Sequence, residues 1–286
     1  MLIAQLTDLH VRPLGLPACR VVETNMLAQR ALRAVARLDP APDVLMITGD
    51  LTECGLEAEY HLAAAMLAQE IRIPVFAIPG NHDRREVMIT HLPGTRHEDG
   101  FVQYAVEDYP VRLVMLDSVV PGAGHGELCA RRLDWLERTL AARPAAPTVI
   151  GIHHPPFRCG IRNMDAINLH DHDAFAAVLQ RHPQVMLVAC GHHHRGITAR
   201  LGQAIVCAAP AVVQQSELDF RPGAPAMFVM EPAMFQLHRW TPEDGLTSHL
   251  GFVESFPGPF PYLLDPDYPG IDEATRQRLM AAHRGV

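Results

Sequence analysis

Several features are missing from the chain, and each absence closes a class of function. Its six cysteines include no CxxC pair, so neither a disulfide framework nor a thiolate zinc site is indicated, and reduced, mostly structural thiols are expected. No apolar run approaches the ~20 residues of a membrane span. The N-terminus, Met1-Leu2-Ile3-Ala4-Gln5-Leu6, has no basic segment before its apolar run and meets Asp8 too early for the core of a signal peptide. A cytoplasmic protein with no membrane partner is therefore expected. Basic residues are also in deficit, 24 Lys and Arg against 32 Asp and Glu, a formal charge of -8. Phosphate neutralisation needs basic surface, so a nucleic-acid partner is not expected.

What is present is a large apolar fraction, 48% of 286 residues, enough to bury a core, and 17 histidines. Short apolar runs alternate with amphipathic segments. Strands are expected at 2–6, 44–48 and 75–78, with helices at 24–38 and 57–69 between them, which indicates parallel βαβ units. A helix over 84–92 follows, then strands at 103–106, 112–116 and 148–152 and a helix over 131–140. Residues 157–172 read as a long loop over a site, after which Asp171 caps a helix reaching 180 and a strand covers 185–189. From Gly196 the runs at 197–201, 204–208, 226–231 and 234–240 suggest a second, largely antiparallel sheet. A Pro- and Gly-rich tail ends in a short helix over 273–283.

The chemistry gathers at strand ends. Ligands of parallel sheets sit beyond the carboxyl ends of the strands, and five such ends here carry potential metal-binding side chains: Asp8/His10, Asp50, Asn81/His82, His153 and His192/His194. If the extended geometry persists, residues two apart point the same way. Asp8 would then converge with His10, and His192 with His194, while only one of His153 and His154 faces the site. Asp117 reads as a strand-end cap. Histidines 61, 91, 97, 182, 238, 249 and 283 lie outside every motif and read as surface or packing residues.

In order, the local sequences are D-x-H, G-D, G-N-H-D, H-H-P-P and G-H-x-H. Together they resemble the calcineurin-like metallophosphoesterases, closest to the bacterial class III cyclic-nucleotide phosphodiesterases and the related glycerophosphodiesterases. The resemblance implies an α/β fold, a two-sheet sandwich flanked by helices, with a catalytic domain over 1–255. Residues 256–286 would form an extension packed on the body or on a neighbouring subunit of a homo-oligomer. It implies two divalent or mixed-valence transition metal ions, iron, manganese, zinc or cobalt. One would be held by Asp8, His10, Asp50 and His194, the other by Asp50, Asn81, His153 and His192. It further implies substrate contacts from His10, Asp50, Asn81, His82 and His194, a catalytic His82, and Asp83 orienting it. The reaction would be hydrolysis of a small phosphodiester, such as cyclic AMP or a glycerophosphodiester, by in-line attack of a metal-bridging hydroxide. A phosphomonoesterase or nuclease on the same fold is the alternative, and a non-catalytic scaffold is less favoured because no ligand is missing. The stretch Gly49-Asp50-Leu51-Thr52-Glu53-Cys54-Gly55 lacks the Asp-Arg pair that protein phosphatases carry there, which disfavours that branch.

Overall fold

Runs of Val, Ile, Leu and Ala that are apolar at successive positions become strands covered on both faces. In a computed structural model of the protein, which describes residues 1–170, 172–260 and 270–282, they alternate with helices in the first two thirds of the chain. The order is β1 (Leu2–Leu6), α1 (Thr24–Ala36), β2 (Val44–Thr48), α2 (Glu57–Glu70), β3 (Val75–Ile78), α3 (Arg85–His91), β4 (Tyr104–Val106) and β5 (Arg112–Leu116). Next come α4 (Ala130–Ala141), β6 (Thr148–Ile152), α5 (Arg162–Asp165), α6 (His172–Arg181), β7 (Val185–Cys190), β8 (Ile197–Leu201) and β9 (Ala204–Ala208). The chain ends with β10 (Gln215–Ser216), β11 (Phe228–Val229), β12 (Met234–Thr241), β13 (Gly245–Phe252) and α7 (Glu273–Ala282). It divides into two compact units, Met1–Glu254 and Ser255–Val286, and α7 belongs to the second. Asp171 and His283 lie outside the described residues.

Two mixed sheets form the first unit. One runs β13-β12-β1-β2-β3 and the other β4-β5-β6-β7-β9-β8, with β10 and β11 as a small separate pair. The expected second antiparallel sheet is thus corrected. Strands β8 and β9 extend the sheet of β5 to β7, whereas β12 and β13 pair antiparallel onto β1. The βαβ pattern fixes parallel neighbours but does not say that the chain changes sheets between β3 and β4. The inner faces meet at Met46, Met115 and Gly151, where a side chain at 151 would press on both sulfur atoms. Outside, Leu32, Val35, Tyr60 and Ala63 of α1 and α2 join the core of the first sheet. Trp135, Leu136, Phe175 and Val178 of α4 and α6 close the second.

A polar group crosses this apolar centre. Gln5 of β1 donates to Thr48 Oγ1 and to the Cys190 carbonyl of β7, both at 2.9 Å, and accepts from His238 Nε2 of β12 at 3.0 Å. Ser248 of β13 donates to His238 Nδ1 at 2.7 Å. The two sheets are pinned together here, next to the strand ends that carry the candidate site.

Candidate metal centre

Strands β1, β2, β3, β6 and β7 deliver their C-terminal residues to one place. Asp8, His10, Asp50 and His194 offer ligand atoms that all lie within 4.8 Å of one another, and so do His153, His154 and His192. His10 Nε2 is 3.1 Å from His194 Nε2 and 3.9 Å from Asp8 Oδ1, and His194 Nε2 is 3.4 Å from Asp8 Oδ1. Asp50 Oδ2 stands between the groups, 3.7 Å from His10 Nε2 and 3.4 Å from His153 Nε2. Asn81 Oδ1 is 3.1 Å from His153 Nε2.

Convergence has a different cause from the extended geometry expected. Asp8 (φ 55°), His10 (φ 46°), Asp50 (φ 49°), His192 (φ 70°) and His194 (φ 49°) all occupy the left-handed region. Non-glycine residues there are strained, and such strain gathers at functional sites. Each strand end curls rather than continuing, and the backbone carries the side chains round to the same point. Gly80 and Gly191 allow close approach, since a Cβ at 80 would overlap the Asp50 carboxylate and one at 191 would overlap the Thr7 hydroxyl.

The imidazoles are held in defined tautomers. His10 Nδ1 donates to Glu53 Oε2 at 2.6 Å, His153 Nδ1 to the Thr48 carbonyl at 2.7 Å, and His194 Nδ1 to the Gln214 carbonyl at 2.8 Å. His192 reverses the pattern and donates from Nε2 to the Ile167 carbonyl at 2.9 Å. Ionised carboxylates and carbonyls only accept, so the tethered nitrogen carries the proton and the other ring nitrogen keeps its lone pair. This is the donor arrangement a transition-metal cation requires. Charge points the same way. Burial alone would raise Asp8, but His194 and His153 outweigh it and hold the carboxyl at about 2. Burial alone would lower His153, yet Asp50 and Asp8 raise it to about 9.

Of the neighbouring residues, His82 donates through Nδ1 to the Glu53 carbonyl at 2.8 Å, and its backbone N–H donates to Asp50 Oδ1 at 2.9 Å. Burial pulls His82 down, but Asp50 and the Glu53 backbone raise it above the ordinary 6.5. Asp83 does not orient His82, which corrects that expectation. Its buried carboxylate accepts from Leu51 N, Thr52 N, Thr52 Oγ1, Tyr60 OH and Gly80 N. Asp83 therefore ties together the backbones of the two segments that carry Asp50 and Asn81. His154 is turned to Ser118 Oγ at 2.7 Å, and His193 to Asn168 Oδ1 at 2.5 Å, which anchors the 157–170 segment over β7. Asp117 pairs with Arg85 at 2.6 and 2.9 Å, a structural clasp on α3. Glu53 was missed by the sequence reading. Its signal there was only a third-position carboxylate after Asp50, which is common in loops.

A family model, calcineurin-like phosphoesterase, matches residues 1–196. The chain is a calcineurin-like phosphoesterase. Members of the family use divalent metal ions, and this phosphoesterase supplies a fitting donor set. It is 36% identical over 265 residues to a probable glycerophosphodiester phosphodiesterase of Arcobacter nitrofigilis, covering 92% of this chain and 97% of the relative. It is 32% identical over 193 residues to the 3',5'-cyclic adenosine monophosphate phosphodiesterase of Escherichia coli K12, covering 68% and 69%. In fold it is similar to a dimetal phosphatase of Danio rerio, with a TM-score of 0.62 at 14% identity, covering 89% of this phosphoesterase and 99% of that chain. Among the described residues no helix is long and apolar enough to cross a membrane.

Two open clefts meet at Asn81 and His82 of the phosphoesterase. One, of about 690 Å³, is walled by Arg84, Glu86, Val119 and Pro121. The other, of about 360 Å³, is walled by Cys19, Met164, Ile167, Met227 and Phe228.

Proposed function

We propose that this phosphoesterase hydrolyses small phosphodiesters, glycerophosphodiesters or 3',5'-cyclic nucleotides, at a centre of two transition metal ions. The observation that carries the reading is the position of Asp50 Oδ2 between His10 Nε2 and His153 Nε2. A carboxylate can offer oxygen to two cations at once. Asp8, His10, Asp50 and His194 would hold one ion, and Asp50, Asn81, His153 and His192 the other. Mixed nitrogen and oxygen donors without thiolate suit iron, manganese, zinc or cobalt. When bound, such a pair lowers the pKa of a water and neutralises the phosphoryl oxygens of an in-line displacement.

The chain's own contribution lies in placement and proton supply. Asp50 favours the protonated form of His82, whose Nδ1–H is taken up by the Glu53 carbonyl, so Nε2–H would be the group left to donate to a phosphoryl or leaving oxygen. Its side chain is 38% exposed, so solvent can return the proton. Both clefts border Asn81 and His82, and two clefts at one centre give each of two phosphorus substituents a place to lie, which favours diesters over monoesters. A cytoplasmic location and a homo-oligomer with residues 256–286 as a packing extension are part of the proposal and rest on the sequence reading. A monomer mass by sedimentation would remove the oligomer.

Initial rates on metal-analysed enzyme test the substrate class. A glycerophosphodiester, cyclic AMP, their monoester products and a single-stranded oligonucleotide are compared. The proposal expects the highest kcat/KM on one of the two diesters. Faster turnover of a monoester or of the oligonucleotide would replace it with a phosphomonoesterase or a nuclease.

A further inference from the structure

We infer that Glu57, His61 and His91 form a separate, solvent-facing site for a divalent transition-metal ion, a clamp between α2 and α3. The three residues offer ligand atoms within 4.8 Å of one another, away from the centre described above. Glu57 and His61 are four apart on α2, so they share a helix face, and His91 closes α3 alongside. His61 Nε2 is 3.1 Å from His91 Nδ1, with Glu57 Oε1 4.0 Å from the first and 3.7 Å from the second.

The spacing of the two imidazole nitrogens is that of a coordination shell. Tetrahedral zinc with bonds of 2.0–2.1 Å to nitrogen places two imidazole nitrogens about 3.3 Å apart. The rings stand edge to face with centroids 5.0 Å apart, and the two facing nitrogens, which share a hydrogen bond in the absence of an ion, are close enough to share one cation. Glu57 is exposed and free to rotate the last few tenths of an ångström. Two histidines and one carboxylate leave a fourth position for water, as in open zinc sites.

Affinity is set by what holds the ligands. In the main centre each of the four histidines is anchored through its second nitrogen, whereas among the described residues none bonds His61 Nδ1 or His91 Nε2. Outer partners of this kind are worth ~10–100-fold in metal affinity, so the clamp should bind more weakly than the main centre. Its location gives it a consequence. Helix α2 follows the segment that carries Asp50 and Glu53, and α3 follows the one that carries Asn81 and His82. An ion across their surfaces would brace both.

Equilibrium dialysis of untagged, full-length protein against zinc chloride, with metal counted per chain, tests the inference. Wild type should bind one equivalent more than His61→Ala, His91→Ala and Glu57→Ala at high free zinc. A control, His249→Ala, should match wild type. At the same zinc concentration the thermal midpoint of wild type should rise, and that additional rise should be missing in the three variants. Equal stoichiometry in wild type and all three variants overturns the clamp, whatever the count in the main centre. Loss of an equivalent in His249→Ala as well would mark indiscriminate surface binding and overturn it too.

Discussion

At the level of single side chains, the proposed function gives Glu53 and His82 different work around the site. Glu53 fixes the proton of His10 through a 2.6 Å hydrogen bond, and its carbonyl accepts from His82. Glu53→Gln removes the charge that favours His10 as a ligand, so metal affinity should fall ~10–100-fold. At saturating metal most of the turnover should return, and a metal titration separates the two effects. His82→Ala should leave metal content intact and lower kcat by ~10²–10⁴, the usual worth of a general acid. Asp83→Asn should do neither. It weakens an acceptor shared by three backbone N–H groups and two hydroxyls, so the expected loss is ~1–3 kcal/mol of stability, read by urea unfolding, with His82-dependent kinetics retained.

Among the elements, the strands and their ends were largely legible in the sequence. Apolar runs closed by Asp, Asn or His mark β1, β2, β3, β6 and β7 because both faces of these strands are buried. Less was readable where burial is partial. β13 is mostly exposed and carries Thr, Ser, His and Gly, so no period announces it, and the four residues of α5 are too few to show one inside the 157–172 loop. The left-handed φ values at Asp8, His10, Asp50, His192 and His194 were equally invisible, since the surrounding fold imposes them. Gly80 shows how an element end is tuned. It sits under Asp50 without positive φ, and an added methyl group would strike the carboxylate. Gly80→Ala should therefore displace Asp50 and strip metal while the circular dichroism of the sheets persists. Full metal loading in that variant would contradict the close approach.

For the whole molecule, Gln5 joins the two sheets through the Cys190 carbonyl, His238 of its own sheet holds Gln5 in place, and pH is the means of probing that support. Burial lowers His238 to about 4, against 6.5 unfolded. Above pH 6.5 both states are neutral and the contribution is complete. As pH falls from 6.5 to 4 the unfolded chain takes up a proton that the fold refuses, so stability declines, by ~3 kcal/mol in all at 1.36 kcal/mol per pH unit. His238→Gln should flatten that acid limb of the stability curve whatever its effect at neutral pH. Parallel curves for wild type and variant would show that His238 does not titrate as described.

Under the proposed function, diester hydrolysis depends on metal held at the Asp50 centre. The most direct test is the initial rate of glycerophosphodiester and cyclic AMP hydrolysis by one preparation, stripped by chelator and then reloaded with manganese or zinc to a measured content. Saturable hydrolysis of at least one diester should disappear with the metal, return with it, and be lost in Asp50→Ala. Background rates on both diesters at verified loading, or turnover that survives complete metal removal, would contradict it.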